Sequence, residues 1–109
     1  MVIMIDMDGT ICSEESPFDR PLAKPLPGAL VAVNRLVADN HVVIIWTGRG
    51  WDQYRVTKKW LDDHGFQYAQ LLMGKPIVNL MIDDRARQFT GWDKEYVASV
   101  PPKQKLPSG

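Results

Sequence analysis

The chain has 109 residues, enough for one domain with a single modest core and too few for a second. Lysine plus arginine total 13 and aspartate plus glutamate total 13, so bulk charge gives no drive toward nucleic acid or membrane surfaces, and only a local basic patch stays open. The one cysteine, Cys12, cannot close an internal disulfide, and no apolar run approaches membrane-spanning length. The opening residues lack a basic region followed by a long apolar stretch, so no signal peptide is expected. A cytoplasmic protein without membrane contacts is the expectation.

Val2 to Ile5 is a continuous apolar run, the pattern of a strand buried on both faces, and it ends at Asp6. Residues 9 to 27 are rich in proline and polar groups and read as a loop, with a short hairpin near Thr10 to Ser13. Pro27-Gly28 opens a helical pattern in which Ala29, Leu30, Val33, Leu36 and Val37 share a face, with Asn40 as its stop. Val42 to Trp46 is a second buried strand, ending in Thr47-Gly48-Arg49-Gly50. A helix is predicted from Asp52 to His64, stopped by Gly65. Further strands are predicted at Tyr68 to Met73, Ile77 to Ile82 and Tyr96 to Val100, with a short helix from Arg85 to Thr90. Residues 101–109 lack a core-forming pattern and read as a flexible tail, leaving 1–100 as the domain.

Strands alternating with helices predict an α/β fold: a three-layer, doubly wound (Rossmann-like) sheet, mostly parallel, of about five strands. Ligand sites in such sheets form at the carboxyl ends of the strands. Here three strand endings are polar: Asp6, Thr47 and Asp83-Asp84. Two carboxylates two residues apart, Asp6 and Asp8, are costly just past a buried strand unless a cation or donors compensate them. Gly9 lets the chain turn sharply and brings backbone N–H groups toward an anion. Clustered hard oxygens with no His/Cys cluster favour Mg²⁺ over zinc. Thr47-Gly48 offers a hydroxyl and an N–H for phosphate oxygens, and Lys75 offers a cation. Acids, a metal, a hydroxyl and a lysine form the set that phosphoryl transfer requires. A carboxylate nucleophile divides hydrolysis into two easier steps.

Asp6-Met7-Asp8-Gly9-Thr10, Trp46-Thr47-Gly48-Arg49, Lys75 and Ile82-Asp83-Asp84-Arg85 resemble, in order, the four motifs of the haloacid dehalogenase superfamily. The resemblance spans residues 6 to 85. It implies a Mg²⁺-dependent phosphatase in which Asp6 is the nucleophile and carries an aspartyl-phosphate. Asp8 would protonate the leaving oxygen and then activate water. Asp6, the Asp8 carbonyl and Asp84 would hold Mg²⁺, with Asp83 supporting through the metal's waters; whether Asp83 or Asp84 is the direct ligand stays open. Thr47, Gly48 and Lys75 would bind phosphate, and Arg49 and Arg85 flank motif positions. The loop 9–27 is too short for a helical cap, and 50–74 is used by a helix and a strand, so the resemblance is to a capless member. An open site suits a large substrate. A small one requires cover from a second subunit or from the 9–27 loop.

Tyr54-Arg55-Val56-Thr57-Lys58-Lys59-Trp60 and Leu80-Met81-Ile82-Asp83-Asp84-Arg85 also resemble segments of the 3′-phosphatase domain of polynucleotide kinase–phosphatases. That implies a 3′-phosphatase on nucleotide or nucleic-acid ends as the alternative activity. A non-enzymatic phospho-aspartate switch is a third reading, set back by the order of its acids, which is the reverse of the order here. Among the tryptophans, Trp51 is the best candidate to stack a base, although tryptophan is more often core. Cys12 reads as a passive small residue.

Overall fold

The computed structural model describes residues 1–100; the expected tail at 101–109 lies outside them. Strand β1, Val2–Ile5, pairs in parallel with β2, Val42–Trp46, in the register Ile3↔Val43 and Ile5↔Ile45. Strand β3, Gln70–Leu72, extends the sheet in parallel on the far side of β2, with Ile45 opposite Leu71. The result is a small open parallel sheet of three strands in the order β1-β2-β3.

The alternation of side chains decides which face is inside. Ile5, Val43, Ile45 and Leu71 are buried in one cluster, and the registers place them on one side of the sheet. Helix α1, Ala29–Ala38, covers that side with a stripe of Ala29, Ala32, Val33 and Leu36, spaced three and four residues apart. Helix α2, Tyr54–Asp63, adds Trp60 and Leu61 to the same cluster. Both crossovers step across the sheet in one direction, so right-handed connections put both helices on one face. The described residues therefore build two layers. Val2, Met4 and Val42, on the other face, are exposed.

The early elements lie where the periodicities put them. α1 stops at Asn40, which takes a left-handed φ of 67°, and α2 is preceded by a short 3-10 turn at Trp51–Gln53. The later elements differ. Residues 77–82 form no strand, and Ile77 and Ile82 are 89% and 91% exposed. Only residues 73–76 separate them from β3, and no helix lies between. Parallel neighbours ordinarily need a crossover of about a dozen residues. Pro76 also lacks an N–H to offer a ladder. An apolar run supplies burial drive but not a partner edge.

Residues 85–90 are not helical. Asp83 Oδ1 accepts a hydrogen bond from the Arg85 N–H at 2.7 Å, closing a local turn. Arg87 donates to the Ser99 hydroxyl at 2.7 Å, tying the segment to the residue that follows the last helix. Tyr96 to Val100 is not a strand: helix α3, Lys94–Ala98, occupies it, with Asp93 accepting from the Tyr96 N–H at 2.7 Å as its N-cap. Among the described residues the sheet therefore has three strands where about five were expected.

Two contacts fasten the 9–27 loop over the core. The Trp60 indole N–H donates to the Ala23 carbonyl at 2.8 Å, in the interior. The Trp92 indole donates to the Thr10 carbonyl at 2.7 Å. Gly28, with φ 78°, opens α1 directly beneath Trp92, where a Cβ would stand 2.8 Å from the Trp92 carbonyl oxygen. Trp60→Phe should preserve the packed ring and leave the Ala23 carbonyl unpaired, a loss of about 1–3 kcal/mol. A urea midpoint unchanged from the parent would show that this bond contributes nothing.

Candidate functional site

The site lies at the carboxyl ends of β1 and β2. β1 runs out at Ile5, and the chain turns at once: the Thr10, Ile11 and Cys12 N–H groups all point to the Met7 carbonyl. That tight turn holds Asp6 and Asp8 in place while Met7 between them is buried. The Asp6 carboxylate accepts from the Thr10 hydroxyl at 3.1 Å and faces the Lys75 ammonium at 3.5 Å. Lys75 is delivered by the chain leaving β3. The Gly74 N–H bonds the Arg49 carbonyl and the Lys75 N–H bonds the Thr47 carbonyl, so residues 74 and 75 pass over the top of β2. The ammonium also lies 5.4 Å from the Trp46 ring centroid.

Asp8 has a different partner. Arg49 grips it with two parallel hydrogen bonds, Nη2 to Oδ1 at 2.7 Å and Nε to Oδ2 at 3.0 Å. Arg49 is 2% exposed and is also held by the Thr57 hydroxyl at 3.1 Å. Only the Asp8 side chain, 24% exposed, opens this pair to solvent. Thr47 is fully buried, and its hydroxyl accepts from the Arg49 backbone N–H at 3.1 Å. That bond leaves the hydroxyl proton available to an acceptor. Gly48 stands against Ile77, where a Cβ would come within 3.2 Å of the side chain.

Cys12 completes the inner wall, with Sγ 3.7 Å from Asp8 Oδ1 and 3.9 Å from Arg49 Nη2. Burial, and after it the charge of Asp8, push its thiol from the usual 9.0 up to about 12. Native protein at pH 8 should therefore resist thiol reagents that label it rapidly in urea. Equal labelling rates in the two states would contradict this placement. The sign for stability follows from the same shift. Between pH 9 and about 12 the unfolded thiol ionises and the folded one stays protonated. Unfolding then releases a proton, so this residue makes stability fall as pH rises through that window.

The structure thus gathers Asp6, Asp8, Thr47, Arg49 and Lys75, with Gly48 at the rim. Asp83, Asp84 and Arg85 are all exposed, on the segment that forms no strand. Among the described residues no group of three or more His, Cys, Asp or Glu side chains is placed to hold a metal ion. The oxygen donors of Asp6 and Asp8 are of the kind that suits Mg²⁺, which takes few carboxylates. The third acid does not stand with them. Thr10 and Cys12 are site neighbours without an expected role. The fifth position of the pentapeptide, a hydroxyl four residues past Asp6, is the signal that could have marked Thr10. On α2, Lys58 pairs with Asp62 at 2.8 Å and Lys59 with Asp63 at 2.7 Å, so neither is a ready anion contact. Among the described residues no helix is long and apolar enough to cross a membrane.

No family model matches the chain, and no curated protein matches it. Solved structures share its fold, among them the following two. A crystal structure from Vibrio cholerae matches with a TM-score of 0.71 at 23% identity, over 93% of this chain and 90% of the other. A chain of the Pnkp1/Rnl/Hen1 complex matches with a TM-score of 0.61 at 19% identity, over 76% of this chain. This chain spans 30% of that one. At these identities the likeness is one of fold: an α/β domain of a kind seen both alone and within a larger assembly.

Proposed function

We propose that the chain is a Mg²⁺-dependent phosphomonoester hydrolase of the haloacid dehalogenase type, acting through an aspartyl-phosphate on Asp6. The observation that carries this reading is the setting of Asp6: a carboxylate at a strand end, 37% exposed, between a threonine hydroxyl and a lysine ammonium, with a second acid two residues on. A phosphoryl group arriving there meets a nucleophile with Lys75 beside it to balance its charge.

In the first step an Asp6 oxygen bonds phosphorus as the ester oxygen departs, taking a proton from Asp8. In the second, Asp8 takes a proton from water, and that water releases phosphate from Asp6. The Arg49 fork and the Cys12 thiol together use three of the roughly four lone-pair sites of the Asp8 carboxylate. The remaining site, on Oδ2, is where the proton would be carried. A bound Mg²⁺ would be held by Asp6 and the Asp8 carbonyl and would neutralise the phosphoryl oxygens.

Asp83-Asp84 would join them if residues 80–82 paired with the open edge of β1, as the fourth strand of a fuller sheet. Lys75 already stands beside Asp6, and five residues reach up to about 17 Å, enough to enter that edge. Magnesium should then slow amide exchange across 80–82, and unchanged exchange at saturating Mg²⁺ would count against the pairing.

The test of function is phosphate release from a panel of sugar phosphates, nucleotides, 3′-phosphorylated oligonucleotides and phosphopeptides. Turnover should vanish in EDTA and return with Mg²⁺. If no phosphomonoester in the panel turns over, the reading fails.

A second reading, 3′-phosphatase on nucleotide or nucleic-acid ends, is supported by the motif resemblance, and the fold shared with a chain of the Pnkp1/Rnl/Hen1 complex is compatible with it.

A further inference from the structure

Trp51 is 63% exposed, an unusual setting for the largest apolar side chain in a chain this size. It is not loosely placed. Its ring lies near-parallel to Tyr54, at 24° with centroids 5.9 Å apart. On the other side of the gap it meets Gly74, where a Cβ would stand 3.6 Å from the indole nitrogen. Gly74 adopts a left-handed φ of 75°, and its N–H is bonded to the Arg49 carbonyl at 2.8 Å. A flat ring is thus braced by an aromatic neighbour and by the backbone that carries Lys75, and much of it faces solvent.

The position relative to Asp6 narrows the ligand. Lys75 reaches the Asp6 carboxylate with its terminal ammonium, at 3.5 Å. Gly74, and the indole against it, therefore stand about one lysine side chain back from the carboxylate. A ligand touching both needs a phosphate at one end, a flat π face at the other and a polar spacer between. An aryl phosphate has no spacer. A nucleotide has a ribose.

We propose that the exposed surface of Trp51 is a stacking platform for the base of a nucleoside monophosphate whose phosphate sits beside Asp6 and Lys75. This rests on the phosphohydrolase reading for what happens to the phosphate, but the binding stands apart from turnover. Stacking tolerates every base, because each has a π face.

The experiment is calorimetric titration of Asp6→Asn protein with adenosine 3′-monophosphate, an abasic ribose phosphate and phenyl phosphate. The nucleotide should bind about tenfold more tightly than ribose phosphate, within the range of one base–aromatic stack. Adding Trp51→Ala should erase that ratio, and Trp51→Phe should keep most of it. Equal affinity for the two ligands, a ratio that survives Trp51→Ala, or no binding of either overturns the platform. So does a Trp51-dependent preference for phenyl phosphate over the nucleotide. Phosphate release by unsubstituted protein is scored separately. Absent turnover with Trp51-dependent base binding intact would sink the hydrolase reading and leave the platform standing.

Discussion

Asp6→Asn should reduce phosphate release by on the order of 10⁴-fold or more, the scale seen when a covalent nucleophile is removed. The substitution is nearly isosteric. The amide oxygen can still accept from the Thr10 hydroxyl, so the turn after β1 keeps its shape. What is lost is the charge facing Lys75 and the oxygen that would bond phosphorus. The Asp6–Lys75 pair is partly solvated, with side chains 37% and 25% exposed, so its contribution to stability is about 1 kcal/mol or less. Activity and stability should therefore separate: melting temperature nearly unchanged, rate gone. Brief mixing of unsubstituted protein with labelled substrate and an acid quench should leave label on the protein, and none on the Asn variant. If the Asn variant retains a tenth of the rate, Asp6 is not the nucleophile.

Asp8→Ala should remove the acid/base group and, unlike Asp6→Asn, also strike the fold. Its removal leaves the Arg49 guanidinium buried at 2% exposure with the Thr57 hydroxyl as its remaining strong partner. Breaking a buried pair from one side costs about 3–5 kcal/mol, because the surviving charge has neither water nor a counter-ion. For a domain near this size each kcal/mol lowers the melting midpoint by roughly 4–8 °C. A fall of more than about 10 °C is expected, against a small change for Asp6→Ala. The double change Asp8→Ala with Arg49→Met removes both charges and should recover much of the loss. A melting curve for Asp8→Ala that overlays the parent would mean the fork contributes nothing to stability.

These two residues show what a sequence can and cannot declare. Asp6 was legible because it ends an apolar strand, although that strand is buried on one face and not on both, and strand ends are local features of hydrophobic patterning. So were α1, β2 and α2, whose periodicities run long enough to be unambiguous. The partner of Asp8 was not legible, since Arg49 lies 41 residues away and only the fold decides which charges meet. The same holds for Trp92, which reaches back to the Thr10 carbonyl across 82 residues. Residues 77–82 misled because apolar content measures the drive to be buried and does not by itself pair a segment with a sheet edge. The segment at 94–98 misled for the opposite reason. Its apolar residues suggested a strand, and the Asp93 cap, visible three residues ahead of Tyr96, outweighed them. Asp83 and Asp84 were grouped with Asp6 as the ending of a predicted strand and on motif order, and neither by itself brings a segment to the sheet.

Among the described residues no strand pairs with the outer edge of β1, and this has a consequence for how the protein behaves in concentrated solution. An unpaired strand edge, together with an exposed run of Ile77, Val78, Leu80, Met81 and Ile82 elsewhere on the surface, is a template for pairing between copies. The chain brackets that run with Lys75-Pro76 before it and Asp83-Asp84-Arg85 after it. Charges and a proline at those flanks oppose the in-register stacking that an apolar hexapeptide otherwise favours. Asp83 and Asp84 would on this view guard colloidal stability even while they stand away from the site, and neutralising both would shorten the time the protein stays dispersed.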